Sequence, residues 1–346
     1  MAQNLTDAQA RRLRLRSHLL TGSDLAPAEA VRRAVGLQGQ DLPAVLRAIA
    51  IRSRPGTTVQ DVRDAFDSGD LVRGWPMRGT LFATTPGHLA ALLHFTAERT
   101  HTATARRRTE LGLEESVLRR GRDSLREALQ ERPLRRAEVM DLWAAAGIRT
   151  GDGRGYHLLM HLAVDGLFHW GRFTPSGTEQ LATLTEHDGA GGGDLSALVR
   201  GFVLARGPVS EADLAWWTKL PKTVVRRAAA GVADLQEVLV QGRPAWLIGE
   251  ASEPEPSGAT LVPGFDEWIL GYADRSLVAG PAALQAVVPG KNGIFRPAVL
   301  FDGTVVGTWR PPRGKRAAEP VINLVEQLKA NARRAVEKAV AAWPHG

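Results

Sequence analysis

The sequence has no cysteine in 346 residues. That excludes disulfide frameworks, thiolate zinc sites, iron–sulfur clusters and cysteine nucleophiles together, and it fits a reducing compartment. Long apolar runs are missing too. The longest stretch without Asp, Glu, Lys or Arg, Gly79 to Ala97, is interrupted by Pro86, His88, His94 and four threonines, so no membrane span is expected. Residues 1–15 place Asp7 and several arginines where a secretory apolar segment would stand, so export is not expected and a cytoplasmic location is. The glycine-rich run from Asp188 to Asp194 lacks the Gly-Lys-Ser/Thr ending of a phosphate loop, and there is no G-x-S-x-G elbow. Neither a nucleotide cofactor nor acyl transfer is indicated.

What is present is an ordinary globular composition, 44% hydrophobic and 23% charged, in a chain long enough for two or three cores. The net charge is +7, and only six of the 44 basic residues are lysines. Arginine forks match phosphates and guanine edges, so a polyanion such as nucleic acid is one partner this balance fits; a GC-rich genome also favours arginine over lysine.

A local arrangement recurs three times: a turn-forming residue, a short amphipathic segment, a break, a second helix and a β-rich return. The first copy runs from Gly56 through Asp61-Val62 to Gly79–Thr85. The second runs from Pro133 through Glu138-Val139, the turn Gly147–Gly155 and a helix from Tyr156 to Asp165, to Gly166–Trp170. The third runs from Pro208 through Asp213-Leu214, the break at Pro221 and a helix from Thr223 to Ala230, to a strand at Gln236–Val240. Asp61, Glu138 and Asp213 lie 77 and 75 residues apart. Two helices, a tight turn and a β-ribbon describe a winged helix-turn-helix, or a common packing unit of the same make-up.

After Pro254 and Pro256 the texture turns to β. Asn292-Gly293 and Asp302-Gly303 are hairpin signals, and Val321, Leu324, Leu328 and Ala332 are spaced for an amphipathic helix between Ala318 and Ala342. The expected fold is α+β, mainly α: three tandem winged helix-turn-helix modules and a C-terminal β-barrel-like domain. The expected boundaries are 1–100, 101–188, 189–250 and 251–346.

Three groups of residues carry candidate chemistry. His157 and His161, four apart on a helix, share a face, but no third ligand accompanies them and no metal is expected. Asp266, Glu267 and Asp274 are of a type to act as acid and base, although adjacent Asp and Glu on a strand point to opposite faces and Asp274-Arg275 also fits an ion pair. Val35-Gly36-Leu37-Gln38-Gly39-Gln40-Asp41 puts two carboxamides around a glycine between two helices. Such amides either meet a ligand at a close-approach turn or simply bond a helix end.

The same segment resembles the Gln-aliphatic-Gln motif of a bacterial family, the AlkZ-like winged-helix DNA glycosylases of the AlkZ and YcaQ type, which unhook interstrand crosslinks and excise alkylated bases. Trp75-Pro76-Met77-Arg78-Gly79-Thr80-Leu81 resembles that family's W-x-M-R-G-T-L stretch. Leu261 to Glu267, Gly271 to Ser276, Asn292 to Pro297 and Val306 to Arg310 also follow its pattern, in order and over nearly the whole chain. Gln at both motif positions is similar to the AlkZ branch. Gly39 replaces the aliphatic residue, and Phe82 stands where His often follows the Leu.

The resemblance implies a monofunctional glycosylase for N7-alkylated purines, crosslinks included, with Gln38 and Gln40 placing the water and no cofactor. It implies double-stranded DNA as partner, no membrane and no obligate protein partner. Phosphate contacts are nominated at Arg310, Arg313, Lys315, Arg316, Arg154 and Arg78. The rival reading is a non-catalytic winged-helix regulator; a weaker third is a β-barrel enzyme acting through Asp266, Glu267 or Asp274.

Overall fold

The computed structural model describes residues 2–185, 193–252, 254–290, 293–310, 320–325 and 327–343. The chain forms two compact units, one of Met1–Val62 with Ser196–Gly346 and one of Arg63–Leu195.

The chain opens with β1 (Gln3–Leu5), α1 (Asp7–Ser17), α2 (Pro27–Ala34), β2 (Gly36–Gln38), α3 (Leu42–Ala50) and α4 (Val59–Asp67). The starts of these helices are written locally. Thr6 and Gln9 form a capping box on α1, Glu29 accepts the Ala26 N–H ahead of α2, and Asp41 caps α3 by accepting the Ala44 N–H.

The second unit follows with β3 (Val72–Met77), β4 (Thr80–Thr84), α5 (Pro86–Glu110), α6 (Glu115–Glu131), α7 (Arg136–Ala145), α8 (Arg154–Val164), β5 (Phe168–Phe173) and β6 (Gln180–Leu184). Strands β4, β3, β5 and β6 are neighbours in that order, all antiparallel. Between β3 and β4, Arg78 and Gly79 both have positive φ, 57° and 65°. That is the pair a two-residue hairpin of the favoured mirror-image twist requires. The W-x-M-R-G-T-L stretch is therefore a hairpin. Its Trp75 is buried against Tyr156 and Trp170, and Trp143 closes the same core by donating its Nε1–H to the Gly121 carbonyl. Helices α7 and α8 with the ribbon β5/β6 reproduce the expected helix, turn, helix and hairpin.

The chain then returns to the first unit with α9 (Leu195–Arg206), α10 (Glu211–Thr218), α11 (Lys222–Ala229), β7 (Gln236–Val240) and β8 (Arg243–Leu247). Helices α10 and α11 and the β7/β8 hairpin repeat the pattern, and β1 joins β7 in parallel, Gln3 opposite Val238. The last elements are β9 (Ala259–Val262), α12 (Glu267–Leu270), α13 (Pro281–Val287), β10 (Ala298–Phe301), β11 (Thr304–Arg310), β12 (Val321–Leu324) and α14 (Ala330–Ala341).

Two sequence expectations are corrected here. The C-terminal strands form an open antiparallel sheet in the order β12-β11-β10-β9, not a barrel, among the described residues. Four strands are too few to close around a filled interior, which takes about eight. Helix α14 covers one face instead, with Val336 and Trp343 against Trp309. Second, Val321–Leu324 is strand β12, in register with β11 from Gly307 to Arg310, and not part of a helix from Ala318. The Asp302-Gly303 hairpin stands as expected, Phe301 facing Thr304. Asn292 and the run 188–192 lie outside the described residues. Among the described residues no helix is long and apolar enough to cross a membrane.

Candidate active site

The two glutamines sit on a segment shaped by one strained residue. Helix α2 ends at Ala34, and Val35 takes φ 65°, ψ −45°, close to the γ-turn conformation that β-branched residues avoid. The chain reverses there into β2, so that Gln38 ends the strand and Gln40 precedes the cap of α3. Gln38 is buried, and its Oε1 accepts the Gly39 N–H at 2.9 Å and the Gln40 N–H at 3.3 Å. Both lone pairs of that oxygen are therefore engaged, and the carboxamide is fixed in orientation. Gln40 is exposed.

Strain at Val35 persists only if its surroundings enforce it. Arg206, the last residue of α9 and 1% exposed, does so: it donates to the Ala34 carbonyl at 2.9 Å and the Gly36 carbonyl at 2.7 Å, one on each side of Val35. The same guanidinium reaches Glu267 Oε2 from Nε at 3.1 Å and from NH2 at 2.9 Å, and Trp217 donates its indole N–H to that oxygen at 3.0 Å. Its planar face lies against Trp217 and Phe202. Arg52 meets Asp266 in a two-pronged pair at 2.8 and 2.9 Å and holds the Ala48 carbonyl of α3. Helices α2 and α3 on either side of the Gln segment are thus tied to two adjacent carboxylates.

This removes the groups of the weaker third reading, an enzyme acting through Asp266, Glu267 or Asp274, and the segment is a helix start and not a strand. Asp266 caps α12 through the Trp268 N–H, Glu267 begins it, and both are buried ion-pair partners. Asp274 is exposed, accepts the Ser276 N–H and lies 3.5 Å from Arg243; that backbone bond holds its carboxyl below the usual range.

Behind the clamp, Tyr272 donates its hydroxyl proton to the Arg206 carbonyl at 2.8 Å, and His18 Nε2 lies 2.8 Å from the Tyr272 hydroxyl oxygen. The hydroxyl must accept from His18, which puts the imidazole proton on Nε2. Burial, then the nearby Arg52, Arg206, Arg14 and Arg33, drive the His18 pKa well below its ordinary value, so the ring is neutral. Burial raises the Tyr272 phenol. A cavity of about 10 Å³ lies among His18, Arg33, Leu37, Arg52 and Arg206. It has room for one water molecule, far below the several hundred Å³ of a ligand pocket.

Gly201 supplies the remaining contact. A Cβ built on it would come within 2.5 Å of Val35 Cγ2, which explains a glycine inside α9 despite its cost of about 1 kcal/mol to a helix. Gly201→Ala is expected to lower stability by about 1–3 kcal/mol in urea unfolding. An unchanged midpoint would show that the Val35 turn yields freely.

The nominated DNA contacts divide between the units. Arg310 is exposed at the end of β11 in the first. Arg313, Lys315 and Arg316 lie outside the described residues. Arg78 and Arg154 belong to the second: Arg78 sits on the hairpin turn with its guanidinium over the buried Phe82 ring, and Arg154 starts α8 and donates to the Arg149 and Gly112 carbonyls. His157 and His161 share a face of α8 as their spacing requires. Burial and then the neighbouring His101, Arg108 and Arg122 hold His161 down at about 3, and burial followed by Arg107 and Arg108 lowers His157. Sequence reasoning missed Arg52, Arg206, Trp217, Tyr272 and His18. The one usable signal was a pair of adjacent carboxylates in an apolar stretch, which cannot be buried without cations.

Residues 31–344 match the model of the AlkZ-like DNA glycosylases, so the chain belongs to that family. Among solved structures it resembles the DNA glycosylase AlkZ of Streptomyces sahachiroi, with a TM-score of 0.80 over 98% of this chain and 96% of that one at 22% identity. It is also similar to the interstrand DNA cross-link repair glycosylase of the same organism, 29% identical over 121 residues. That alignment spans about a third of each protein, 32% of this chain and 33% of the relative.

Proposed function

We propose that the protein is a monofunctional DNA glycosylase that hydrolyses the N-glycosidic bond of N7-alkylated purines in duplex DNA, interstrand crosslinks included, in DNA repair or self-resistance to an alkylating agent. The observation that carries this reading is the Gln segment: two uncharged amides, one immobilised and one exposed, beside a strained turn held by buried ion pairs. The carboxylates Asp266 and Glu267 are committed to arginines, which leaves the amides as the chemistry of the segment.

A carboxamide cannot act as a full base at neutral pH. Alkylation at N7 gives the purine a positive charge, so when the bond from C1′ to N9 breaks, its electron pair returns to the ring and a neutral base departs. The sugar is left oxocarbenium-like. Water adds to C1′ and loses its proton to solvent. What remains for the protein is to hold that water and to place partial negative charge near the sugar. Gln40, exposed, presents its carbonyl oxygen to the water; Gln38, whose oxygen is bound to two backbone N–H groups, keeps the turn in shape and has its Nε2 edge as the donor that orients the same water. Undamaged purines lack the charge and are spared.

The recurring helix, turn, helix and hairpin arrangements are read as winged helices that carry duplex DNA, with Arg310, Arg313, Lys315, Arg316, Arg154 and Arg78 as its phosphate contacts. A crosslinked base is tethered to both strands and cannot rotate into a closed pocket, so the reaction calls for an open groove. Duplexes carrying N7-methylguanine or a nitrogen-mustard crosslink are expected to yield free base and alkali-labile abasic sites. No release at any enzyme excess, with binding intact, would identify a DNA-binding regulator instead.

A further inference from the structure

We propose that His101, His161 and Asp165 form a site for a borderline divalent transition cation, with zinc as its type, that staples α5 to α8. His161 Nε2 lies 3.6 Å from Asp165 Oδ2, and His101 Nε2 lies 2.7 Å from Asp165 Oδ1. The two rings are 4.6 Å apart, and one donor atom from each of the three residues falls within 4.8 Å of the others. Ligand atoms around tetrahedral zinc stand about 3.3 Å apart, given bonds of about 2.0 to 2.2 Å. Side-chain rotations of about an ångström bring the three into that shape.

Three features favour a ligand here over a plain ion pair. Asp165 is already neutralised by Arg122 through Oδ2, so a second imidazole at the same carboxylate is redundant for charge. His161 Nδ1 is buried without a hydrogen-bond partner and Nε2, 3.6 Å from Asp165 Oδ2, is beyond hydrogen-bond reach of it, which leaves Nε2 as the edge of the ring with a donor pair to give. The donor set, two imidazole nitrogens and one carboxylate oxygen, is the one zinc takes when its fourth position holds water. The side chains are 24%, 13% and 19% exposed for His101, His161 and Asp165, which leaves an entry path. Arg122 then serves as the outer partner that orients a one-toothed carboxylate, while its charge opposes the cation and lowers the affinity. Helix α5 supplies His101, and the last turn and cap of α8 supply the other two, so the ion ties a long helix to the one that begins at Arg154. Sequence spacing offered His157 as the partner of His161; the fold substitutes His101.

The test uses the full chain, stripped with a chelator and titrated with Zn²⁺ against a chromophoric chelator, and with Co²⁺ by its visible absorption. One ion per chain is expected, with binding at least 10-fold weaker in His101→Ala and in His161→Ala and within twofold of normal in His157→Ala. Zn²⁺ should raise the thermal midpoint of the unaltered protein but not that of His101→Ala. Substoichiometric binding, or affinity unchanged in both ligand variants, overturns the site. Should His161→Ala fail to fold by circular dichroism, His101→Asn and His161→Gln give the same reading.

Discussion

Gln40→Ala is expected to slow single-turnover release of N7-methylguanine about 100-fold while duplex affinity stays within a few fold. The magnitude is the low end of what one positioned polar group contributes when charge develops at a reacting centre. Gln40 is exposed, so its loss is expected to fall mainly on the chemical step. Gln38→Ala differs. It deletes the acceptor of the Gly39 and Gln40 N–H groups, which costs about 1–3 kcal/mol where those groups are left without partners. It should therefore lose stability as well as rate, and the loss of rate should exceed that of Gln40→Ala because the second amide is misplaced with the first. Excision at the normal rate in Gln40→Ala would remove the water-holding role from the motif.

Arg206→Ala should destabilise the unit of Met1–Val62 with Ser196–Gly346 by about 3–5 kcal/mol, read from urea unfolding, because it strands the Glu267 charge in the interior and frees two buried carbonyls. Arg206→Lys should recover little, since an ammonium cannot span both carbonyls and the carboxylate as the planar fork does. The double change Arg206→Met with Glu267→Leu should regain much of the stability, as replacing a whole buried pair usually does. The base-release rate should not recover with it, because nothing then holds Ala34 and Gly36 about the strained Val35. A double variant with full activity would show that the clamp acts on stability only.

What the sequence made legible was local. The apolar helix after Asp41, the short helix around Asp213-Leu214 and the Asp302-Gly303 hairpin each declare their structure within a few residues. The Gln segment was also read in its place, a turn between two helices. Where partners are remote, the reading failed. Asp266 and Glu267 stayed open to a weaker reading as acid and base because their cations, Arg52 and Arg206, lie 214 and 61 residues away. Val321–Leu324 passed for helix because Val321 and Leu324, three apart, fit the helical period, whereas on the strand it is Ile322 and Leu324, two apart, that share the half-buried face, and the open edge of β11 decides for strand. Arg78-Gly79 was not taken for a hairpin because arginine, unlike Asn or Asp, is no customary first residue of such a turn.

The first unit is interrupted: its chain leaves at Val62 and resumes at Ser196. A ribosome delivers Gln38 early, but Glu267, which fixes its mount, emerges 229 residues later, roughly 10 to 45 seconds at ordinary elongation rates. Arg63–Leu195, contiguous, is free to fold in that interval. The nascent protein thus holds the Gln segment unclamped until the bulk of the polypeptide has been made, and a chain that stops short of Glu267 is expected to contain one sound unit and a turn with nothing to pin Arg206 against it.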